Sequence, residues 1–169
     1  MNSSTIQKIL GLNQQFYQTF AAPFSATRQR LQPGVQRLLP RLLQKRAILD
    51  LGCGNGELAR QLAKRHYPGS YVGLDFSAGL LEEALRNHPL GPQGRFYQAD
   101  LAKPDWATLL EDNTFDTVLA FAVLHHLPGS DLRKEVVRQV RRLLSPEGEF
   151  MLSNWQFLNS ERLAKRIQP

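Results

Sequence analysis

The chain has 169 residues, 42% of them hydrophobic and 21% charged, proportions of an ordinary globular domain long enough to build one core without disulfides or metal. A single cysteine, Cys53, and four histidines exclude both a disulfide scaffold and a Cys/His zinc cluster, so no metal ligand is assigned. No run approaches the roughly 18 apolar residues of a membrane span, and no apolar stretch follows basic residues at the N-terminus, so a cytoplasmic protein with no membrane association is expected.

The net charge of +6 is unevenly placed. Residues 1–46 hold seven Lys/Arg and no acid, residues 47–131 hold six against eleven, and residues 132–169 hold eight against four. An acidic centre between basic flanks suits a neutral or cationic small ligand inside and a polyanion outside, although solvated Arg-rich helix faces account for the flanks equally well.

In chain order, Ile6, Ile9, Leu10, Phe16, Tyr17 and Phe20 recur at helical spacing, and Val35, Leu38, Leu39, Leu42 and Leu43 do so again after Pro33-Gly34. Residues 21–32, with Pro23, Ser25 and Thr27, read as a loop between these two helices, and residues 1–46 as an N-terminal helical segment. From Ala47 onward, short apolar runs at 47–51, 71–74, 95–99, 117–123 and 149–153 alternate with helix-periodic stretches. That rhythm predicts an α/β fold, a Rossmann-like doubly wound and mostly parallel sheet over residues 47–169. Helix starts are expected at Ser77, at Asp105 and at Ser130 or Asp131, and Pro146-Glu147-Gly148 reads as a turn before the fifth strand.

The most informative stretch is Asp50-Leu51-Gly52-Cys53-Gly54-Asn55-Gly56, at the passage from first strand to helix. Three glycines in five residues permit a sharp turn and are expected to present bare N–H groups to an anionic group at a helix N-terminus. Asp75 ends the second strand 21 residues after Gly54, the spacing at which an acid reaches both ribose hydroxyls of a nucleoside, and Asp100 ends the third strand at the same edge. A dinucleotide site would carry its third glycine at position 57, where Glu stands, and phosphates would be repelled by Asp50 and Glu57. A ligand with one carboxylate and a cationic amine and sulfonium, such as S-adenosylmethionine, fits this lining better.

Asp50-Leu-Gly-Cys-Gly-Asn-Gly56, Gly73-Leu-Asp-Phe-Ser77, Ala99-Asp-Leu101, Phe115 to Leu127 and Leu144-Ser-Pro-Glu-Gly148 together resemble the successive motifs of class I S-adenosylmethionine-dependent methyltransferases. The resemblance implies that Gly52, Cys53, Gly54 and Gly56 line the methionine part and that Asp50 helps to hold its amino group. It implies further that Asp75, with Phe76 and Ser77, serves the ribose and adenine, that Asp100 and Leu101 take the adenine edge and face, and that Ala122 and Val123 lie near the sulfonium. His125 and His126, directly after the fourth strand, are candidates for a base or an orienting group. The N-terminal stretch around Phe24 to Arg28 resembles the branch that methylates carboxymethylated wobble uridine in tRNA, except that Gln32 stands where that branch has an aromatic residue. Arg28, Arg30, Arg37 and Arg41 would then contact phosphates of tRNA or another RNA. Small-molecule methyl transfer, an NAD-dependent oxidoreductase and an inactive RNA- or protein-binding module are the alternatives. The family carries two further strands after the fifth, whereas 16 residues follow Ser153 here. A truncated form lacking the C-terminal strand pair is therefore expected, with Phe150, Leu152, Trp155 and Phe157 at an open edge that favours a dimer or aggregation.

Overall fold

A computed structural model gives the architecture and describes residues 1–27, 30–87, 90–110, 114–155 and 160–165. The elements are α1 (Ser3–Thr27), α2 (Pro33–Leu42), β1 (Ala47–Leu51), α3 (Glu57–Ala63), β2 (Ser70–Asp75), α4 (Ala78–Asn87), β3 (Gly94–Gln98), β4 (Phe115–Phe121), α5 (Ser130–Leu143), β5 (Leu144–Ser153) and α6 (Glu161–Ala164). The five strands form one parallel sheet in the order β3-β2-β1-β4-β5.

Alternation along each strand divides the core into two layers. Ile48 faces α2 and α3, where it packs with Val35, Leu39, Leu42, Leu58, Leu62, Tyr71 and Leu119. Leu49 faces the other way, with Leu51, Val118, Ala120 and the α5 residues Val136, Val140 and Leu143. Both helices present their buried positions at helical spacing, so each covers the sheet with one stripe. Among the described residues no helix is long and apolar enough to cross a membrane.

The five strands fall where the apolar runs placed them, but several connections differ. The expected loop at 21–32 is helical as far as Thr27: α1 kinks at Phe20 (φ −112°, ψ 20°) and resumes, because Pro23 has no N–H to give and its ring crowds the preceding turn. Pro146-Glu147-Gly148 lies inside β5 rather than before it, where Phe115 pairs with Leu144 but Thr117 with Glu149, so the extra residues form a register shift. Asp105 begins only a turn of 3-10 helix at Thr108–Leu110, and Gly129 takes the cap position of α5, leaving Ser130 as its first residue. Ser77 does cap α4, its hydroxyl accepting from Leu80 N.

Candidate functional site

The sheet order reverses at β1: β2 and β3 lie on one side and β4 and β5 on the other. In such sheets a crevice opens beyond the carboxyl ends of the strands flanking the reversal. A cavity of about 260 Å³ occupies this position. Its wall includes Asp50, Gly52, Cys53 and Gly54 after β1, Asp75 and Phe76 after β2, Asp100 and Leu101 after β3, and Ala122, Val123 and His126 after β4. Asn13 and Tyr17 of α1, Arg30, Glu57, Leu127 and Trp155 also line it. Of the sequence-predicted cofactor residues, Gly56 and Ser77 stand outside the wall, Gly56 backing onto Ala84 and Ser77 capping α4.

The glycine loop shapes the cavity differently from expectation. Gly52 N and Cys53 N both donate to Leu74 O (2.7 and 2.9 Å), Gly54 N donates to Asp75 Oδ2 (2.9 Å) and Gly56 N to Cys53 O (3.1 Å). These amides are therefore not bare; they fasten the loop to the end of β2. The glycines serve shape instead. Gly52 (φ +69°) admits Val123, whose methyl group a Cβ would strike, and a Cβ on Gly54 (φ +57°) would meet nothing within 4 Å. Opposite, Ala122 takes φ +58°, a strained conformation for a residue with a Cβ, held by its N–H to Ser153 O (3.0 Å) and Oγ (3.1 Å).

The three strand-end acids reach one cavity, with different partners. Asp50 is buried and accepts from the hydroxyl of buried Tyr71 at 2.6 Å. Burial pushes its carboxyl up to about 7 against the Tyr71 hydrogen bond, and the nearby Asp75 adds to the rise. Asp75 uses one oxygen for Gly54 N and the other for Ser77 N (2.9 Å each), so its first role is to brace the loop. Burial raises it too, against those amides, and each oxygen keeps acceptor capacity for a hydroxyl. Asp100 accepts from Ala102 N at 2.9 Å.

His126 lies on the wall and is held from α1: Tyr17 Oη sits 3.1 Å from its Nε2, and Asn13 Nδ2 donates to its carbonyl at 2.9 Å. Tyr17 also meets Phe76 edge-on at 5.4 Å, so one ring bridges the His126 and Phe76 sides of the cavity. Burial, then the adjacent His125, pulls the His126 imidazole down to about 4. His125 does not line the cavity; its ring lies 5.5 Å from Trp155. Burial lowers it, with Asn154 opposing, and among the described residues neither ring nitrogen completes a well-directed hydrogen bond.

The arginines proposed for RNA have different settings. Arg30 is on the cavity wall, Arg37 is exposed on α2, Arg41 is paired with Glu149 at 2.6 Å, and Arg28 lies outside the described residues. At the β5 edge Leu152 and Trp155 are exposed, Phe150 is half-buried and Phe157 lies outside the described residues.

The family model described as "Methyltransferase domain" matches residues 48–148, from the start of β1 into β5. This chain belongs to that family. It is a class I S-adenosylmethionine-dependent methyltransferase domain by this match and by its relatives. A protein of Encephalitozoon cuniculi named as a methyltransferase is 33% identical over 83% of this chain and 60% of its own length. The mouse tRNA (carboxymethyluridine(34)-5-O)-methyltransferase is 28% identical over 83% of this chain and 19% of its own. Among solved structures, S-adenosylmethionine-bound CalS10, an amino pentose methyltransferase from Micromonospora echinaspora, superposes with a TM-score of 0.61 at 25% identity, over 80% of this chain and 56% of that one. The chain spans about half the length of the curated relatives it matches.

The methyltransferase cavity fits S-adenosylmethionine on its own chemistry. Asp50, Asp75 and Asp100 offer negative charge to a sulfonium and an amine, the space beyond Gly54 is open, and Arg30 is the one Lys or Arg on the described wall, available to a carboxylate. Sequence reasoning missed Asn13, Tyr17 and Tyr71. A polar Asn at position 13, inside the Ile6/Leu10/Tyr17 stripe, was the available signal for the first two; nothing in Tyr71's apolar run marks it as the partner of Asp50.

Proposed function

We propose that this methyltransferase domain esterifies a carboxylate on its acceptor, with carboxymethylated uridine of tRNA as the leading case. When bound, S-adenosylmethionine would supply a methyl group for attack by the acceptor oxygen in line with the C–S bond, which breaks as the C–O bond forms and leaves the sulfur as a neutral thioether. Asp75 and Asp100 would hold the nucleoside, Asp50 the amino group and Arg30 a carboxylate, while the apolar walls at Val123 and Leu127 keep water out.

The observation that carries the acceptor class is the setting of His126: its Nε2 lies 3.1 Å from Tyr17 Oη, and burial, then the adjacent His125, lowers the imidazole to about 4. A lowered imidazole whose Nε2 is already engaged by Tyr17 is a poor general base, which favours an acceptor that arrives ionised and gives His126 an orienting role. Two kinds of relative support this reading by the acceptors in their names, the tRNA carboxymethyluridine enzymes and the malonyl-[acyl-carrier protein] O-methyltransferases. The second kind makes a small carboxylic acid or thioester-bound acid the second reading. Incubation with methyl-labelled S-adenosylmethionine and either total tRNA or malonyl-type acids should give label that mild alkali releases as methanol. Alkali-stable label would overturn the ester reading, and cofactor binding without transfer to any acceptor would make the domain a binding module. The open β5 edge is proposed to mediate self-association where nothing else covers it.

A further inference from the structure

We propose that the outward face of α5 is the track along which the phosphate backbone of an RNA substrate lies; this rests on the reading that RNA carries the acceptor. Lys134, Arg138, Arg141 and Arg142 are all exposed, and with 100° per residue they share one side of the helix. From Lys134 to Arg142 the face runs about 12 Å, the span of roughly three phosphates on one strand.

This face gathers four exposed cations on one side of one helix with, among the described residues, one ion pair between them and an acid, whereas several cations elsewhere are compensated. Arg41 and Lys45 share Glu149, Arg60 pairs with Glu57, and Arg86 with Glu83. On α5 one ion pair is formed, Arg138 with Glu135 at 2.8 Å, and it leaves Arg138 exposed. Exposed Val137 sits among the cations, and Ser130, Arg133, Lys134, Val137 and Arg138 line a shallow surface groove there. Cations flanking an apolar floor match a sugar-phosphate chain, whose charged oxygens and sugar carbons need both.

The face also adjoins the cavity: Arg133, next to Lys134 in the chain, donates to Leu127 O at 2.7 Å, and Leu127 is part of the cavity wall. α2, with Arg37 and Arg41, packs against the opposite face of the sheet, so one RNA strand on α5 would leave α2 uncovered.

The test compares the protein carrying Lys134→Gln, Arg138→Gln, Arg141→Gln and Arg142→Gln with a second variant carrying Lys64→Gln, Arg65→Gln and Lys103→Gln on other surfaces. Affinity for total tRNA is read by fluorescence anisotropy across a salt series, S-adenosylmethionine affinity by calorimetry, and folding by thermal melting. The α5 variant should bind tRNA about tenfold or more weakly at physiological salt, with the slope of log affinity against log salt reduced by about 2, as expected for losing about three phosphate contacts. Its melting and cofactor affinity should match the wild type, and the second variant should keep most of its RNA affinity. Equal loss in the two variants, or an unchanged slope in the α5 variant, overturns the track while leaving the RNA acceptor intact. A wild-type protein that binds the cofactor but neither binds nor methylates tRNA removes both.

Discussion

Asp75 is the residue on which two functions converge. Its carboxylate holds Gly54 N and Ser77 N, and by the proposed reading it also meets a ribose. Asp75→Ala should therefore lower cofactor affinity by about 1–3 kcal/mol and, unlike a purely ligand-binding change, also lower the melting temperature of the ligand-free protein; calorimetric titration and melting curves read the two effects separately. Loss of affinity without loss of stability would show that the loop does not depend on the carboxylate. Tyr17→Phe keeps the edge contact to Phe76 and removes the hydroxyl next to His126 Nε2. Turnover should fall several-fold while cofactor affinity stays level, because the imidazole loses its tether but Phe76 keeps its ring contact; a change confined to cofactor affinity would place Tyr17 outside the proposed acceptor end. The sequence showed Asp50, Asp75 and Asp100 at one edge because strand ends and spacing are local properties. It did not show that Gly54 N–H is taken by Asp75, because a loop amide's partner is decided by how two strand ends meet in space.

At the scale of elements, the apolar runs revealed the strands while the connections misled. Pro23 and Pro146 both read as breaks, since proline removes a donor, yet the surrounding packing carries the helix past one and the strand past the other. Beyond its kink α1 is fastened to the glycine loop: Asn55 Nδ2 donates to Ser25 Oγ (2.9 Å), and Ser25 donates to Glu83 of α4 (3.2 Å). Both Ser25 and Asn55 are buried, so Ser25→Ala leaves the Asn55 amide short of a partner. Hydrogen exchange should quicken in α1 beyond Phe20 and in the glycine loop together, with the sheet protected as before; exchange confined to α1 would show that the two are not linked. The self-association proposed for the β5 edge also belongs to this scale. With Leu152 exposed on an edge strand, Leu152→Lys should lower the self-associated fraction seen by light scattering, and an unchanged fraction would exclude this edge.

For the whole molecule, an acidic cavity inside a basic protein has a consequence for stability as pH changes. Asp50 titrates at its ordinary 3.8 when unfolded and at about 7 when folded, so between those values the native state holds the extra proton and stability falls as pH rises. His126 works in the opposite sense: the unfolded state takes a proton below 6.5, the native state only near 4, so stability falls as pH drops through that window. The two slopes oppose each other from about 4 to 6.5; above 6.5 the His126 contribution is constant while the Asp50 loss continues, and the raised Asp75 acts in the same sense as Asp50. The Asp50 shift corresponds to about 4 kcal/mol when fully developed. Asp50→Asn removes the charge and keeps an acceptor for Tyr71, at the cost of a buried amide N–H₂ group. It should therefore stabilise the ligand-free protein by about 1–3 kcal/mol at pH 8 and give little or nothing at pH 4. The same substitution should weaken binding of S-adenosylmethionine, whose cationic groups compensate the ionised carboxylate, and wild-type binding near pH 6 should release a proton that the variant does not. Urea denaturation at the two pH values, with calorimetry in buffers of different ionisation enthalpy, measures both effects. A variant less stable than the wild type at pH 8, with unchanged proton release, would mean that Asp50 is already ionised in the empty cavity and that its charge is met by a partner other than the ligand.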